Sequence, residues 1–380
     1  MANLPIYLDY NATTPVDTRV VEAMLPYLRE HFGNPSSNHV YGQRAKAGVD
    51  QARYEVATLI GASPKEIIFT GCASEANNLA IFGVARALGG KKRHLVCSAV
   101  EHPSVLEPFR RLRDEGWDLT LLRVDGEGRV DPDDVARALR RDTALVSVMH
   151  ANNETGALQP VDEITALTRS RGVLLHSDAA QSAGKIPVAV NELGIDLLTL
   201  AGHKLYAPKG VGALYVRNGA PLLPIMAGAG QEKGLRPGTE SVPLIVGLGR
   251  AARLALDGLN EESARLRTLR DELHLRLAEA IPGLALNGPQ DARLPNTLNV
   301  SFPGVAGWQL LEAAASVAAS TGSACHAGGG GSPVLAAMGL SAERMAGAVR
   351  LSVGRPSDSQ EIARAADALI AAWRKFKAQL

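Results

Sequence analysis

Short apolar runs alternate with helical patterns between about residue 55 and residue 217 of this 380-residue chain. The runs are Ile67–Thr70, His94–Cys97, Leu119–Arg123, Ala144–Met149, Val173–His176, Asp196–Leu200 and Gly212–Arg217. Strands separated by helices predict βα units with right-handed crossovers, which build a mostly parallel sheet covered by helices on both faces. The predicted fold class is therefore α/β.

The rest of the chain predicts a second, smaller α+β domain. A Leu-, Ala- and Arg-rich helical segment runs from Pro243 to about residue 280, and Thr297–Phe302 and Val349–Val353 read as strands. Closing helices are expected around 308–319 and 359–377. Since 380 residues exceed the usual size of one domain, we expect a large domain over 16–255 and a small domain formed by 1–15 and 256–380.

The bulk composition favours a small-molecule ligand. Forty Lys and Arg against 39 Asp and Glu leave a net charge of +1, without the basic stripe that nucleic acid or an anionic membrane surface would require. No apolar run reaches the roughly 18 residues of a membrane span, and the start of the chain does not resemble a signal peptide. The three cysteines lack zinc-type spacing and are expected to be reduced thiols in the cytoplasm.

Lys204 and Asp178 are the first candidates for chemistry. Lys204 follows His203 directly, and Asp178 ends the segment His176-Ser-Asp. A lysine can form an imine with an aldehyde, and an aspartate can keep a pyridinium nitrogen protonated, which together are the requirements of pyridoxal 5'-phosphate (PLP). Each residue alone is more often a surface lysine or a turn aspartate.

Three further segments supply polar groups that such a cofactor needs. Small residues around Ser74 join a strand to a helix, where backbone N–H groups favour a phosphate, although a simple N-cap by Ser74 would give the same pattern. His102 could stack on a flat ring and shuttle protons. Asn153, beside Asn152, could hydrogen-bond a ring oxygen or a carboxylate, or could simply form a turn.

Cys325 precedes four consecutive glycines, Gly328 to Gly331. Four glycines lose much entropy when ordered and bury no side chain, so a simple structural role explains them poorly. Attached to a thiol, they predict a flexible arm. The adjacent His326 could lower the thiol pKa, although neighbouring residues need not face each other.

Together these segments resemble the class V aminotransferase-fold enzymes, and among them the cysteine desulfurase and selenocysteine lyase family. The similarity runs from Tyr7-Leu-Asp-Tyr-Asn-Ala-Thr-Thr-Pro15 to Val349-Arg-Leu-Ser-Val-Gly-Arg355. It implies the PLP-dependent transferase fold type I and a homodimer. The reaction that it implies is conversion of L-cysteine to L-alanine with a persulfide on Cys325, which a sulfur-acceptor protein would then discharge.

The resemblance also assigns roles to individual residues. Lys204 becomes the imine lysine and general base, Asp178 the pyridinium partner, and His102 the stacking acid or base. Gln181 would donate to the ring hydroxyl. Arg350, with Asn153 beside it, would hold the substrate carboxylate. The phosphate would contact Ala73, Ser74, His203 and, from a neighbouring subunit, Thr239.

Two departures from the family keep alternatives open. Ala201 replaces a serine that commonly contacts the phosphate, and the segment Ala324-Cys-His to Ser332-Pro-Val-Leu looks more like selenocysteine lyases. L-Selenocysteine is therefore an alternative substrate. A PLP transaminase or β-lyase would explain Lys204 without Cys325, and a non-catalytic sulfur carrier or scaffold would explain Cys325 without Lys204.

Overall fold

The computed structural model describes residues 4–321 and 331–378. Its helices are α1 (Thr18–Arg29), α2 (Val40–Leu59), α3 (Ala73–Leu88), α4 (Pro103–Asp114), α5 (Pro132–Ala138), α6 (Val161–Ser170), α7 (Val190–Leu193), α8 (Val242–Asp257), α9 (Leu259–Ala280), α10 (Gly307–Ala313), α11 (Pro333–Ala337), α12 (Ala342–Ala346) and α13 (Ser359–Lys377). Its strands are β1 (Ile6–Tyr7), β2 (Ile67–Thr70), β3 (His94–Ser98), β4 (Asp118–Leu122), β5 (Thr143–Ser147), β6 (Leu174–Asp178), β7 (Leu197–Ala201), β8 (Gly212–Val216), β9 (Ala285–Leu286), β10 (Thr297–Ser301), β11 (Val317–Ala318) and β12 (Ala348–Ser352). In the described part of the chain, no helix is long and apolar enough to cross a membrane.

The larger sheet has seven strands in the order β2-β8-β7-β6-β5-β3-β4. Strand β8 runs antiparallel to β2 and β7, and every other neighbouring pair in this sheet is parallel. The predicted mostly parallel sheet is confirmed. Each apolar run named from the sequence contributes one of its strands.

Successive residues of these strands enter two different hydrophobic clusters. On β3, Val96 packs on one face of the sheet, whereas Leu95 and Cys97 pack on the other. On β5, Val146 and Leu145 divide in the same way. Because side chains alternate across a strand, nearly continuous apolar runs are what a sheet buried on both faces requires.

A second, smaller sheet has the antiparallel order β12-β10-β9. Its apolar side chains form a separate cluster with Leu8, with α9 and with α13. This separate core supports the proposed small domain. The boundaries at residues 15/16 and 255/256 remain our prediction.

The helix expected over 308–319 is wrong in its second half. Helix α10 ends at Ala313, and Val317–Ala318 instead form β11, which runs parallel to β1. The amide of Ile6 donates to the carbonyl of Ser316 at 2.8 Å, and that of Leu8 donates to the carbonyl of Ala318 at 2.8 Å. A partner some 300 residues away in sequence takes these backbone groups, which a local pattern does not reveal.

Gly212 lets the start of α3 approach the sheet closely. A Cβ at this position would lie 2.7 Å from the carbonyl carbon of Cys72 and 2.9 Å from the amide nitrogen of Ala73. Gly212 also pairs with Thr70 at the end of β2 and with Ala201 at the end of β7. The start of α3 therefore lies beside the strand end that precedes Lys204.

Candidate active site

The candidate residues gather at the carboxyl ends of the parallel strands. Asp178 is the last residue of β6, and Lys204 closes a 3-10 turn directly after β7. His102 follows β3 and caps α4, while Asn153 lies in the turn after β5. Ligands of open α/β sheets bind at this edge.

Lys204 is held by the N-terminal segment of the chain. Its Nζ donates to the backbone carbonyls of Asn11 and Ala12, the latter at 2.8 Å. Burial and, to a smaller extent, the positive charge of Arg350 lower the pKa of Lys204 to about 8, against the opposing effect of Asp9 and Asp178. Roughly a tenth of this amine is therefore neutral, and so nucleophilic, at pH 7.

Asp178 is a buried carboxylate at the start of a hydrogen-bonded chain. Its Oδ2 accepts from Asn77 Nδ2 at 2.8 Å, and its Oδ1 accepts from the amide of Ala180 at 2.8 Å. Asn77 also donates to Ser104 Oγ at 2.9 Å, and Ser104 Oγ lies 2.7 Å from His102 Nδ1. Asn77 and Ser104 thus connect two of the predicted catalytic residues.

These contacts define which nitrogen of His102 carries the proton. Nδ1 accepts the backbone N–H of Ser104 at 3.1 Å, and a backbone amide can only donate. The proton of the neutral ring is therefore on Nε2. Burial lowers the pKa of His102, against the attraction of Asp178. A neutral ring can stack on a flat cofactor without placing a second charge beside a pyridinium.

Gln181 lies between Asn11 and a lysine that the sequence reasoning missed. Its Nε2 donates to the carbonyl of Asn11 at 3.0 Å, the same oxygen that Lys204 contacts. Its Oε1 accepts from Lys185 Nζ at 3.0 Å. Lys185 is only 8% exposed. A lysine in the turn between β6 and α7 gives no distinctive signal in a single sequence.

Arg350 belongs to β12 of the smaller sheet, and its side chain contacts residues of the same site. Its Nη2 lies 2.8 Å from Asp9 Oδ1, and its Nη1 donates to the carbonyl of Asn153 at 3.1 Å. Its Nε is buried without a hydrogen-bond partner among the described residues. Unused N–H groups on a buried guanidinium suit a carboxylate ligand. The described contact of Asn153 is made by its backbone, and Asp9 is a second residue that the sequence reasoning missed.

The first turn of α3 is built differently from the simple cap considered for Ser74. Cys72 is the N-cap, and its Sγ accepts from the amide of Glu75 at 3.4 Å. Ala73 and Ser74 are the first two helical residues, so their N–H groups have no acceptor within the helix. Such groups favour a phosphate. Ser74 and His102 both line a groove of about 910 Å³.

His203 packs beside this region. Its Nδ1 lies 3.1 Å from Thr13 Oγ1. Burial and, to a smaller extent, the nearby charges of Lys204, Lys209 and Lys185 lower the pKa of His203 to about 4. The neutral ring can therefore donate a hydrogen bond to a phosphate but adds no charge.

Two predicted residues are not brought together with the others. Thr239 lies on an exposed loop, and its predicted contact is with a neighbouring subunit. Cys325, with His326, lies outside the described residues. On either side of that segment, Ser320 pairs with the backbone of Arg350, and Ser332 Oγ donates to Glu154 Oε2 at 2.5 Å.

The chain's similarity to known proteins agrees with this geometry. The family model Aminotransferase class-V matches residues 6–365. A protein named cysteine desulfurase IscS from Anaeromyxobacter sp. (strain Fw109-5) is 47% identical over 379 residues, which cover 98% of this chain and 94% of that protein. The chain belongs to the class V aminotransferase family. A second relative, from Dictyoglomus turgidum, is also named cysteine desulfurase IscS and is 45% identical over 96% of this chain and 93% of that protein.

Solved structures extend the likeness to the fold. A NifS-like protein superposes with a TM-score of 0.91 at 36% identity, covering 99% of this chain and 100% of that one. A structure titled "SspA in complex with cysteine" superposes with a TM-score of 0.82 at 37% identity, covering 91% and 98% respectively. The family resemblance and the fold that it implies are confirmed.

The described residues fit the cofactor of this family. Asp178 offers a buried carboxylate, Lys204 an amine with a depressed pKa, and the first turn of α3 offers free N–H groups. The Oδ1 atom of Asn77 is buried without a partner in the described part of the chain, which leaves one acceptor beside Asp178 unused. A group that carries a ring N–H, an aldehyde and a phosphate would meet these three features together.

The depressed pKa of Lys204 predicts unusual reactivity. In cofactor-free protein, modification of Lys204 by an amine-specific reagent should be half-maximal near pH 8, because the neutral amine reacts, whereas an ordinary lysine has a pKa of about 10.4. Peptide mass spectrometry across a pH series measures this. In Arg350→Gln the midpoint should rise, since a positive neighbour is removed. A parent midpoint close to that of ordinary lysines would contradict the proposed environment.

Proposed function

We propose that this protein is a PLP-dependent cysteine desulfurase, which converts L-cysteine to L-alanine and receives the sulfur on Cys325. The observation that carries this proposal is the joint placement of Lys204, Asp178 and Arg350 around one edge of the sheet. The curated relatives' names specify the same reaction. A non-catalytic sulfur carrier would not need a buried lysine and carboxylate at one site.

The cofactor PLP, when bound, withdraws electrons from the substrate α-carbon. Asp178 would hold the ring nitrogen in its protonated form, and its own position is fixed by Asn77 and Ala180. His102 would stack on the ring, with its ring proton on Nε2. Ala73, Ser74 and His203 would hold the phosphate, and Thr239 of a second subunit would complete that contact.

Substrate binding and proton transfer fall to two basic residues. Arg350 would hold the substrate carboxylate with N–H groups that Asp9 and Asn153 leave unused. Lys204, whose pKa is lowered to about 8, would take the proton from the α-carbon in its neutral form. The backbone carbonyls of Asn11 and Ala12 accept hydrogen bonds from Lys204 and so fix the position of its amine.

The transfer of sulfur to Cys325 requires no external oxidant. The thiolate of Cys325 attacks the substrate sulfur, an S–S bond forms, and the bond between that sulfur and Cβ breaks. Its electron pair remains on Cβ, which takes a proton and becomes the methyl group of alanine. The products are alanine and a persulfide on Cys325. An acceptor thiol must discharge the persulfide before the next turnover, and we propose that a sulfur-acceptor protein supplies it in the cytoplasm.

The variant Cys325→Ala tests this proposal most directly. The parent protein should release about one equivalent of alanine per chain in a rapid first turnover, then continue only when a thiol is added. Cys325→Ala should keep the visible absorbance of bound PLP yet release almost no alanine from cysteine. Alanine quantified after rapid quenching measures both. A parent-like rate in this variant would exclude the persulfide route.

L-Selenocysteine is a second candidate substrate, because the segment from Ala324 to Leu335 resembles selenocysteine lyases. A selenolate leaves more easily than a thiolate, so release of selenium need not use Cys325. In the same experiment, loss of the cysteine reaction alone would show that the site handles both elements by different routes. Lys204→Ala should abolish both reactions and serves as the inactive control.

The variant Asp178→Asn tests the cofactor assignment. Loss of a buried charge-assisted contact should raise the barrier by roughly 3–5 kcal/mol, or about two to four orders of magnitude in kcat. Asp196→Asn is the matched control, because Asp196 is equally buried but pairs with Arg217 and the amide of Leu175, away from the site. The control should lower the melting temperature while kcat changes only a few-fold. Equal kcat losses in the two variants would mean that Asp178 acts through stability.

We also propose a homodimer. Phe32 is 73% exposed and Tyr41 50% exposed, and their ring centroids lie 5.6 Å apart, next to the exposed Val40. Contiguous exposed aromatic surface of this kind marks a protein interface. Thr239 is also exposed in the single chain. A residue that contacts the phosphate bound by a second subunit is expected to be exposed in this way. Sedimentation equilibrium should give a mass of two chains, and a concentration-independent mass of one chain would refute the dimer.

A further inference from the structure

Lys185 is a buried cation to which the proposed reaction assigns no role. It is 8% exposed and lies in the turn after β6. The preceding residue, Gly184, has a φ of +73°, and a Cβ there would lie 2.3 Å from Leu205 Cδ2. Only glycine fits this turn. Lys185 and Lys204 line the same enclosed cavity of about 10 Å³, which has room for a single water.

Both described contacts of Lys185 are with one residue. Its Nζ donates to the backbone carbonyl of Gln181 and to Gln181 Oε1, each at 3.0 Å. Neither acceptor is a carboxylate. Burial and, to a smaller extent, the charges of Lys204 and Arg350 lower the pKa of Lys185 to about 7. Keeping a cation here costs free energy, so stability alone explains it poorly.

These contacts determine which way the amide of Gln181 faces. The ammonium form of Lys185, which prevails below its pKa of about 7, only donates, so the atom that faces it is the oxygen. The carbonyl of Asn11 only accepts, so the atom that faces it is the nitrogen, at 3.0 Å. A flipped amide would bring two donors together on one side and two acceptors on the other. Lys185 therefore selects one of two otherwise similar orientations.

We propose that Lys185 is a positioning residue for this reaction, which holds the amide of Gln181 with Nε2 directed toward the ring hydroxyl of the bound cofactor. The inference rests on the proposed function. Nε2 and Lys204 Nζ contact the same carbonyl oxygen, that of Asn11, so this donor lies next to the lysine that joins the cofactor. Lys185 itself touches neither substrate nor cofactor.

The visible absorbance of the bound cofactor reports this effect apart from activity, because it follows protonation of the linkage with Lys204. A donor to the ring oxygen and a nearby positive charge both disfavour that protonation. The variant Lys185→Met weakens both the hydrogen bond to the ring oxygen and the nearby positive charge. The pKa of the linkage should therefore rise by about one unit. The charged groups that face Lys204, namely Arg350, Asp9 and Asp178, are unchanged in the variant. A pH titration of the holoenzyme measures the shift.

Two further variants separate positioning from charge. Lys185→Arg keeps donors for Gln181 Oε1 and should keep a linkage pKa close to the parent value. Gln181→Leu removes the amide, and in that background Lys185→Met should shift the linkage pKa by less than half as much as it does alone. If Lys185→Met does not fold, Lys185→Gln replaces it, because its shorter, uncharged side chain weakens the contact with Gln181 Oε1. The linkage pKa should then rise above that of Lys185→Arg, and equal values in these two variants would overturn the proposal.

Each contrary outcome has a distinct meaning. An unshifted pKa in Lys185→Met with normal absorbance overturns the positioning role and leaves the proposed function standing. An equal shift with and without Gln181 overturns it as well, because Lys185 would then act by charge alone. Failure of the parent protein to show cofactor absorbance after incubation with PLP overturns the proposed function and this inference together.

Discussion

The candidate site depends on one short segment near the start of the chain. The carbonyl of Asn11 accepts from both Lys204 and Gln181, which follow strands β7 and β6 of the larger sheet. Its amide donates to Ser352 Oγ, and its side chain contacts Thr297 and the preceding Asn296, at the start of β10 in the smaller sheet. All of these hydrogen bonds except that of Lys204, which is partly buried, lie in the interior, where losing one would leave an unpaired polar group. The two sheets are thereby held at a defined distance across the site.

Charge is the second organising feature of the site. Burial lowers the pKa of both Lys204 and Lys185, and the charge of Arg350 adds to this lowering at each of them. The charge of Lys204 lowers the pKa of Lys185 as well. Asp9 pairs directly with Arg350 and opposes the lowering at Lys204. A low pKa is useful for a lysine that must act as nucleophile and base near neutral pH, and a surplus of positive charge suits a carboxylate and a phosphate. The cost of burying these cations is therefore connected to the chemistry.

The sequence pattern identified some residues of the candidate site and missed others. Lys204 and Asp178 stand out because each follows an apolar strand and has a chemical property that the fold class places at one edge. Lys185, Asp9 and Asn77 do not stand out, since a single lysine, aspartate or asparagine in a turn or helix has many ordinary explanations. Only their partners, Gln181, Arg350 and Asp178, distinguish them. The same reasoning covers Cys72, which caps α3, whereas the sequence suggested Ser74 as the alternative cap.

The sequence by itself determined the α/β class, the strands of the larger sheet and the family, because apolar periodicity and ordered motifs are local properties that survive without coordinates. Tertiary structure alone decided the pairing of Val317–Ala318 with Ile6–Tyr7, the Asn77–Ser104 connection between Asp178 and His102, and the burial of Lys185 against Gln181. Each of these depends on groups far apart in the chain whose attraction operates only after the sheets have folded. Local propensity carries no information about such partners, whereas their hydrogen bonds and desolvation set the pKa values on which the chemistry rests.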